Sequence, residues 1–126
     1  MGKCLFMRKG ETHSAPSTGI MASDLAVGSS VYLNENGSPV EYLIVNQGIP
    51  SDSSVYDSSC NGTWLLRKDI YTTQQWGNTN YYNTSYINEY LQETFLNFFD
   101  SEIQSNIKQV KIPYMNVSNV LDNLSV

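Results

Sequence analysis

The residues best equipped for chemistry in this chain are rings and amides, gathered in the stretch "YTTQQWGNTNYYNT". Tyr71, Trp76, Tyr81 and Tyr82 stand there beside Asn78 and Asn80. Such a mixture suits contact better than bond breaking. Rigid amphipathic rings offer area at small entropic cost, and short amides both donate and accept hydrogen bonds. These six residues form the candidate ligand-binding set. A competing assignment makes Trp76 and one tyrosine the core lid of the helix that follows.

Catalytic groups are scarce by comparison. His13 is the single histidine, and it sits in a polar stretch; histidine catalysis needs a partner held by packing. Cys4 and Cys60 are too far apart for a disulfide framework or a metal-ligand spacing, so they read as free thiols of a reducing compartment. The C-x-x-C, H-E-x-x-H, G-x-S-x-G, P-loop and dinucleotide patterns do not occur. Asp52, Asp57 and Asp69 do not follow the EF-hand spacing, and nothing selects a carboxylate pair for glycoside hydrolysis. The expectation is a non-enzymatic protein with no cofactor and no metal site.

Charge narrows the partners. Charged residues make up 15% of the 126, and the net charge is −5. The seven basic residues are scattered, whereas binding a nucleic-acid backbone needs them clustered; no nucleic-acid partner is expected. No segment approaches the roughly 20 apolar residues of a membrane span. The apolar run 4–7 is too short for the core of a signal peptide. A composition rich in Asn, Ser, Thr, Gly and Tyr is common in extracellular and virion surface proteins, which is an association and not a mechanism.

The elements that must position the rings form one α+β domain, a length for which roughly two-thirds of the unfolded chain's surface can be buried. Residues 1–24 carry no periodicity and read as an extended N-terminal arm with a short strand at 3–7; the domain takes 25–126. Asn36-Gly37 predicts a hairpin, because both residues tolerate positive φ. Its strands are 30–34 and 40–46. The second is apolar on both faces and is expected to be central and covered on both sides. A third strand, 63–68, places Trp64 and Leu66 on one face and Leu65 and Arg67 on the other.

A helix should follow the ring-rich loop, capped by Thr84 or Ser85. Ile87, Tyr90, Leu91, Phe95, Phe98 and Phe99 make one apolar stripe at helical spacing. Truncating Leu91 or Phe95 on that stripe would cost about 2–5 kcal/mol. A shorter helix, 102–107, is capped by Asp100 or Ser101. "QVKIPYM" reads as a strand ending at Pro113, and Val117, Val120, Leu121 and Leu124 as a short helix or a frayed end. The order is β-β-loop-β-loop-α-α-β: a small antiparallel sheet with two consecutive helices.

The segment "NTSYINEYLQETFLNFFDSEIQSNIKQVKIPY" resembles an uncharacterised domain family frequent in gut Firmicutes and in their phages and prophages. Ser85, Ile87, Tyr90, Leu91, Phe95, Leu96 and Phe99 fit its S-T-(I/L)-x-x-(W/Y)-L-N-x-x-F-(Y/L)-x-x-F signature, with Gln92 in place of the usual Asn. "LAVGSSVYLNENGSPVEYLIVNQG" looks like the family's opening hairpin, "GTWLLRKDIY" like its following strand, and "MGKCLFMRKGETHSAP" like the arm of phage-encoded members.

That resemblance implies a C-type-lectin-like fold, shared with formylglycine-generating enzymes and with the variable proteins of diversity-generating retroelements. Only its N-terminal half is expected here, since other members continue through W-L-R-S-P-like and G-(V/I)-R-P elements. A strand at 110–114 would then lack its partner and need cover from a second copy or a larger particle. The implied role is a virion structural or surface protein: a tail-fibre, receptor-binding or head-decoration component. It would be made in the bacterial cytoplasm and held in the virion by Lys3, Phe6, Arg8 and Lys9 of the arm. Its partners would be other virion proteins or further copies of itself, and its ligand a host surface glycan or protein. The alternative is a stand-alone carbohydrate- or protein-binding module of a gut bacterium, located in the cytoplasm.

Overall fold

The computed structural model describes residues 6–7, 20–52, 54–115 and 121–126. Phe6–Met7 (β1) pairs antiparallel with Ile20–Met21 (β2). Lys3, Arg8 and Lys9 of the expected assembly arm lie outside the described residues, as do His13 and Cys4, and Phe6 is described only as backbone.

The Asn36-Gly37 turn joins Ser30–Glu35 (β3) to Ser38–Gly48 (β4), with Glu35 opposite Ser38. Asn36 has φ 50° and Gly37 φ 81°. Positive φ at both central residues marks the turn whose twist matches that of the flanking strands. Gly62–Arg67 (β5) pairs on the other side of β4, giving the sheet order β3-β4-β5, all antiparallel. The register shifts between Ile44 and Asn46, so Val45 is the extra residue of a bulge.

The fold is therefore α+β, built on a three-stranded antiparallel sheet with two helices, as expected. One face of the sheet is the core. Ala22, Val31, Leu33, Tyr42, Ile44 and Phe99 are buried together, with Leu25, Val40, Leu65, Phe95, Leu96 and Ile103 packed against them. Ala22 belongs to the stretch read as the end of the arm, yet it is fully buried. The Gln47 amide holds that stretch to β4 by donating to the carbonyls of Ala22 and Leu25 at 2.9 and 2.8 Å.

The opposite face departs from expectation. β4 is central, but Tyr32, Val45 and Leu66 on that face are 52%, 45% and 58% exposed. Apolar alternation on both faces is therefore not a sign of two-sided cover here. Phe95, Leu96 and Ile103 of the helical segment pack on the other side, against the core.

The helical segment also departs from the single stripe. Tyr86–Glu93 (α1) is capped by Ser85, whose Oγ accepts the Asn88 N–H at 3.1 Å and donates to the Tyr82 carbonyl at 2.6 Å. The α-helix then stops at Thr94, and Phe95–Phe98 forms a 3₁₀ turn. Phe99 is extended and bridges to Glu35, while the Asn36 N–H donates to the Phe98 carbonyl at 2.7 Å. The sheet edge thus takes over the backbone that a longer helix would have used. Ser101–Asn106 (α2) follows directly.

Leu91, on α1 ahead of the break, is 40% exposed and lies outside the core cluster. Truncating an exposed apolar side chain costs little. Leu91→Ala is expected to lose about 1 kcal/mol or less in urea unfolding, not the 2–5 kcal/mol of a buried leucine.

Lys111–Met115 (β6) pairs with Leu121–Ser125 (β7) in a separate two-stranded ribbon. Three expectations change here. The tail forms a strand and no short helix over 121–125; Val117 and Val120 lie outside the described residues. β6 finds its partner within the chain, so no second copy is needed to pair it. Pro113 sits inside the strand, opposite Asn123. Val110 and Val126 exchange both backbone hydrogen bonds, at 2.9 and 2.8 Å. Alternation from that pair makes Pro113·Asn123 a non-hydrogen-bonded pair, so its missing N–H costs the ladder nothing.

Candidate functional site

The ring-rich loop between β5 and α1 splits into two unlike parts. Tyr71 turns toward the phenylalanines, its ring centroid 5.6 Å from those of Phe95 and Phe98. The Arg67 guanidinium lies over the same ring at 5.4 Å. This tyrosine closes the Phe95–Phe98 cluster and stands apart from the other candidates.

Trp76, Asn80 and Tyr82 come together with Ile112, Pro113 and Tyr114 of β6 around a cleft of about 350 Å³. The Trp76 and Tyr82 rings are 6.2 Å apart and tilted by 50°. Trp76 remains 44% exposed. Burial pushes the Tyr82 phenol above its ordinary value. The wall from β6 was not foreseen. "KIPY" carries a proline and a tyrosine, but only the fold brings them opposite residue 76.

The remaining candidates brace the cleft without lining it. Asn78 donates from its amide to the Tyr86 hydroxyl at 2.7 Å, tying the loop to the first turn of α1. The Tyr81 carbonyl accepts from the Thr84 N–H at 3.3 Å at the start of the 3₁₀ turn Tyr82–Thr84. Thr79 and Thr84 share a hydroxyl hydrogen bond of 2.7 Å. The Trp76 carbonyl accepts the Tyr86 N–H at 2.7 Å.

Gly77 makes that last bond possible. Its φ is +135°, and a Cβ there would lie 3.2 Å from the Tyr86 nitrogen. Both the conformation and the close backbone approach favour glycine. Gly77→Ala is expected to cost roughly 1–3 kcal/mol and to displace the Trp76 indole. Thermal unfolding and the indole N–H resonance of Trp76 would report the two effects separately.

Two other groupings carry residue types capable of chemistry. Glu35 is 5% exposed and takes a hydrogen bond from the Tyr42 hydroxyl and an ion pair from Arg67 at 3.0 Å. The carboxylate holds the Arg67 guanidinium above its ordinary value, and the set is a core network with no lining position in the Trp76 cleft. Cys60 is 1% exposed and lines an apolar cavity of about 240 Å³ with Leu33, Tyr42, Leu65 and Phe99. Burial pushes its thiol up, against nucleophilic use. Among the described residues no three His, Cys, Asp or Glu side chains are grouped to hold a metal ion. None of their helices is long and apolar enough to cross a membrane.

Residues 61–124 match a family model described as a domain of unknown function, DUF6273. That span contains every residue lining the Trp76 cleft. No curated protein matches the chain, and no solved structure does.

Proposed function

The chain belongs to the DUF6273 family. We propose that it is a non-enzymatic binding protein, a structural or surface component of a phage or prophage virion. The arm ahead of Ile20 holds it in the particle, and the Trp76 cleft faces outward as the contact surface. One observation carries the binding role: the cleft is walled by Trp76, Tyr82, Tyr114, Ile112, Pro113 and the Asn80 amide, with no carboxylate, imidazole, amine or thiol among its lining side chains. The virion setting, and the kinship with C-type-lectin-like folds of gut Firmicutes and their phages, rest on the resemblance of the helix signature around Ser85–Phe99.

Mass spectrometry of purified particles tests the setting. The chain should be present in them, and limited proteolysis should spare the arm in the assembled state. A monomer cut within the arm and missing from particles would overturn it.

A stand-alone binding module is the second reading, and one observation favours it. β6 is paired by β7 of the same chain, so the ribbon asks for no neighbour to complete it. Under that reading the protein stays in the cytoplasm, is absent from particles, and keeps its ligand binding as a monomer.

A further inference from the structure

We propose that the Trp76 cleft is a site for a neutral saccharide. The inference rests on the reading of this cleft as the contact surface and names its ligand class. Three features point to an uncharged, hydroxyl-rich, compact ligand.

The first is charge. No acidic or basic residue occurs between Asp69 and Glu89, so the loop that builds the cleft has nothing to offer an ionic group. The second is the pairing of flat and polar surface. Trp76 is nearly half exposed beside Tyr82, ready to take the apolar face of a sugar ring. Asn80 shares the cleft, and an amide can donate to one hydroxyl and accept from another.

The third feature is shape. About 350 Å³ is at the small end of the range for small-molecule sites. Trp76 and Tyr82 are tilted by 50° and form a corner. An extended proline-rich peptide, the other ligand that aromatic grooves take, wants a longer run of aligned rings.

The test is an NMR titration of the full chain with chito-, cello-, malto- and galacto-oligosaccharides at millimolar concentrations. Two indole N–H signals are available, and one is an internal reference: Trp64 Nε1 donates to the Cys60 carbonyl at 3.0 Å and lies outside this cleft. At least one neutral saccharide should shift the Trp76 indole in a saturable way and leave that of Trp64 in place. Trp76→Ala should weaken that binding about tenfold or more, as loss of a stacked ring does. Asn80→Ala should weaken it several-fold; its side chain is exposed, so this variant stays informative if Trp76→Ala fails to fold.

A Trp76 indole unmoved by every saccharide overturns the proposal. So does one moved only by a proline-rich peptide, although the cleft would then still be a contact surface. Particle composition answers the separate question of the virion, and its result leaves the saccharide test unaffected.

Discussion

Phe99→Ala is expected to cost about 3–5 kcal/mol of folding stability, the range for a large ring removed from a packed core. Phe99 is 8% exposed, and its ring meets those of Tyr42 at 6.1 Å and Phe95 at 5.5 Å. Its backbone bridges to Glu35 at the end of the Asn36-Gly37 hairpin. The ring therefore joins the helical segment to the sheet. It also borders the apolar cavity beside Cys60, which would merge with the space left by truncation. Urea unfolding should show the loss as a lower midpoint, and thermal unfolding as a fall of roughly 10 °C or more. A loss no larger than that of Leu91→Ala would mean that the Phe99 side chain is not the joint between the two halves.

Glu35→Ala has the second large expected effect, about 2–4 kcal/mol. Removing one partner of a buried pair strands the other, and full burial of both would place the cost at the top of the measured range. Here the Arg67 side chain is 20% exposed against 4% for Glu35, so solvent takes back part of it. The Tyr42 hydroxyl would also lose the carboxylate to which it donates. A variant with Glu35→Leu and Arg67→Met together should be less destabilised than Glu35→Ala alone, because it leaves no orphaned charge. Additive losses would show that the two side chains do not work as a pair.

The same network predicts alkaline sensitivity. Burial first, and the Glu35 carboxylate second, push the Tyr42 phenol above its ordinary value of 10. Because the folded-state value is raised, this contribution is complete below pH 10 and is lost as the pH climbs beyond it. The unfolding midpoint should fall above pH 10, and replacing Tyr42 with phenylalanine should flatten that part of the profile.

Elements governed by neighbouring residues were legible in the sequence. Asn36-Gly37 dictates its own turn, and Ser85 caps its own helix because its oxygen reaches the Asn88 N–H three residues on. Long-range competition was not legible. The stripe from Ile87 to Phe99 satisfies helical spacing throughout, yet the backbone at Phe98 and Phe99 pairs with the sheet edge at Glu35 and Asn36. Nothing near Thr94 announces that rival. β7 was hidden because "LDNLS" has a weak strand pattern and is held by its register with β6.

The candidate site divides in the same way. Trp76, Asn80 and Tyr82 stood out by residue type and do share a cleft. Tyr71 looked equivalent by type but is taken by Phe95 and Phe98, which follow it by more than twenty positions. The β6 wall of Ile112, Pro113 and Tyr114 carries no local mark of its role. Only the strand pairing and the fold of the loop set it across from Trp76.

The chain's rings fall into two groups, a core around Phe99 and an exposed set at Trp76 that we propose as the contact surface. Thermal unfolding of Trp76→Ala and Phe99→Ala, measured side by side under one set of conditions, tests this division. The exposed indole of Trp76 predicts a melting temperature close to that of the parent chain, while Phe99→Ala falls by roughly 10 °C or more. Equal falls in the two variants would make Trp76 a core residue and contradict the division.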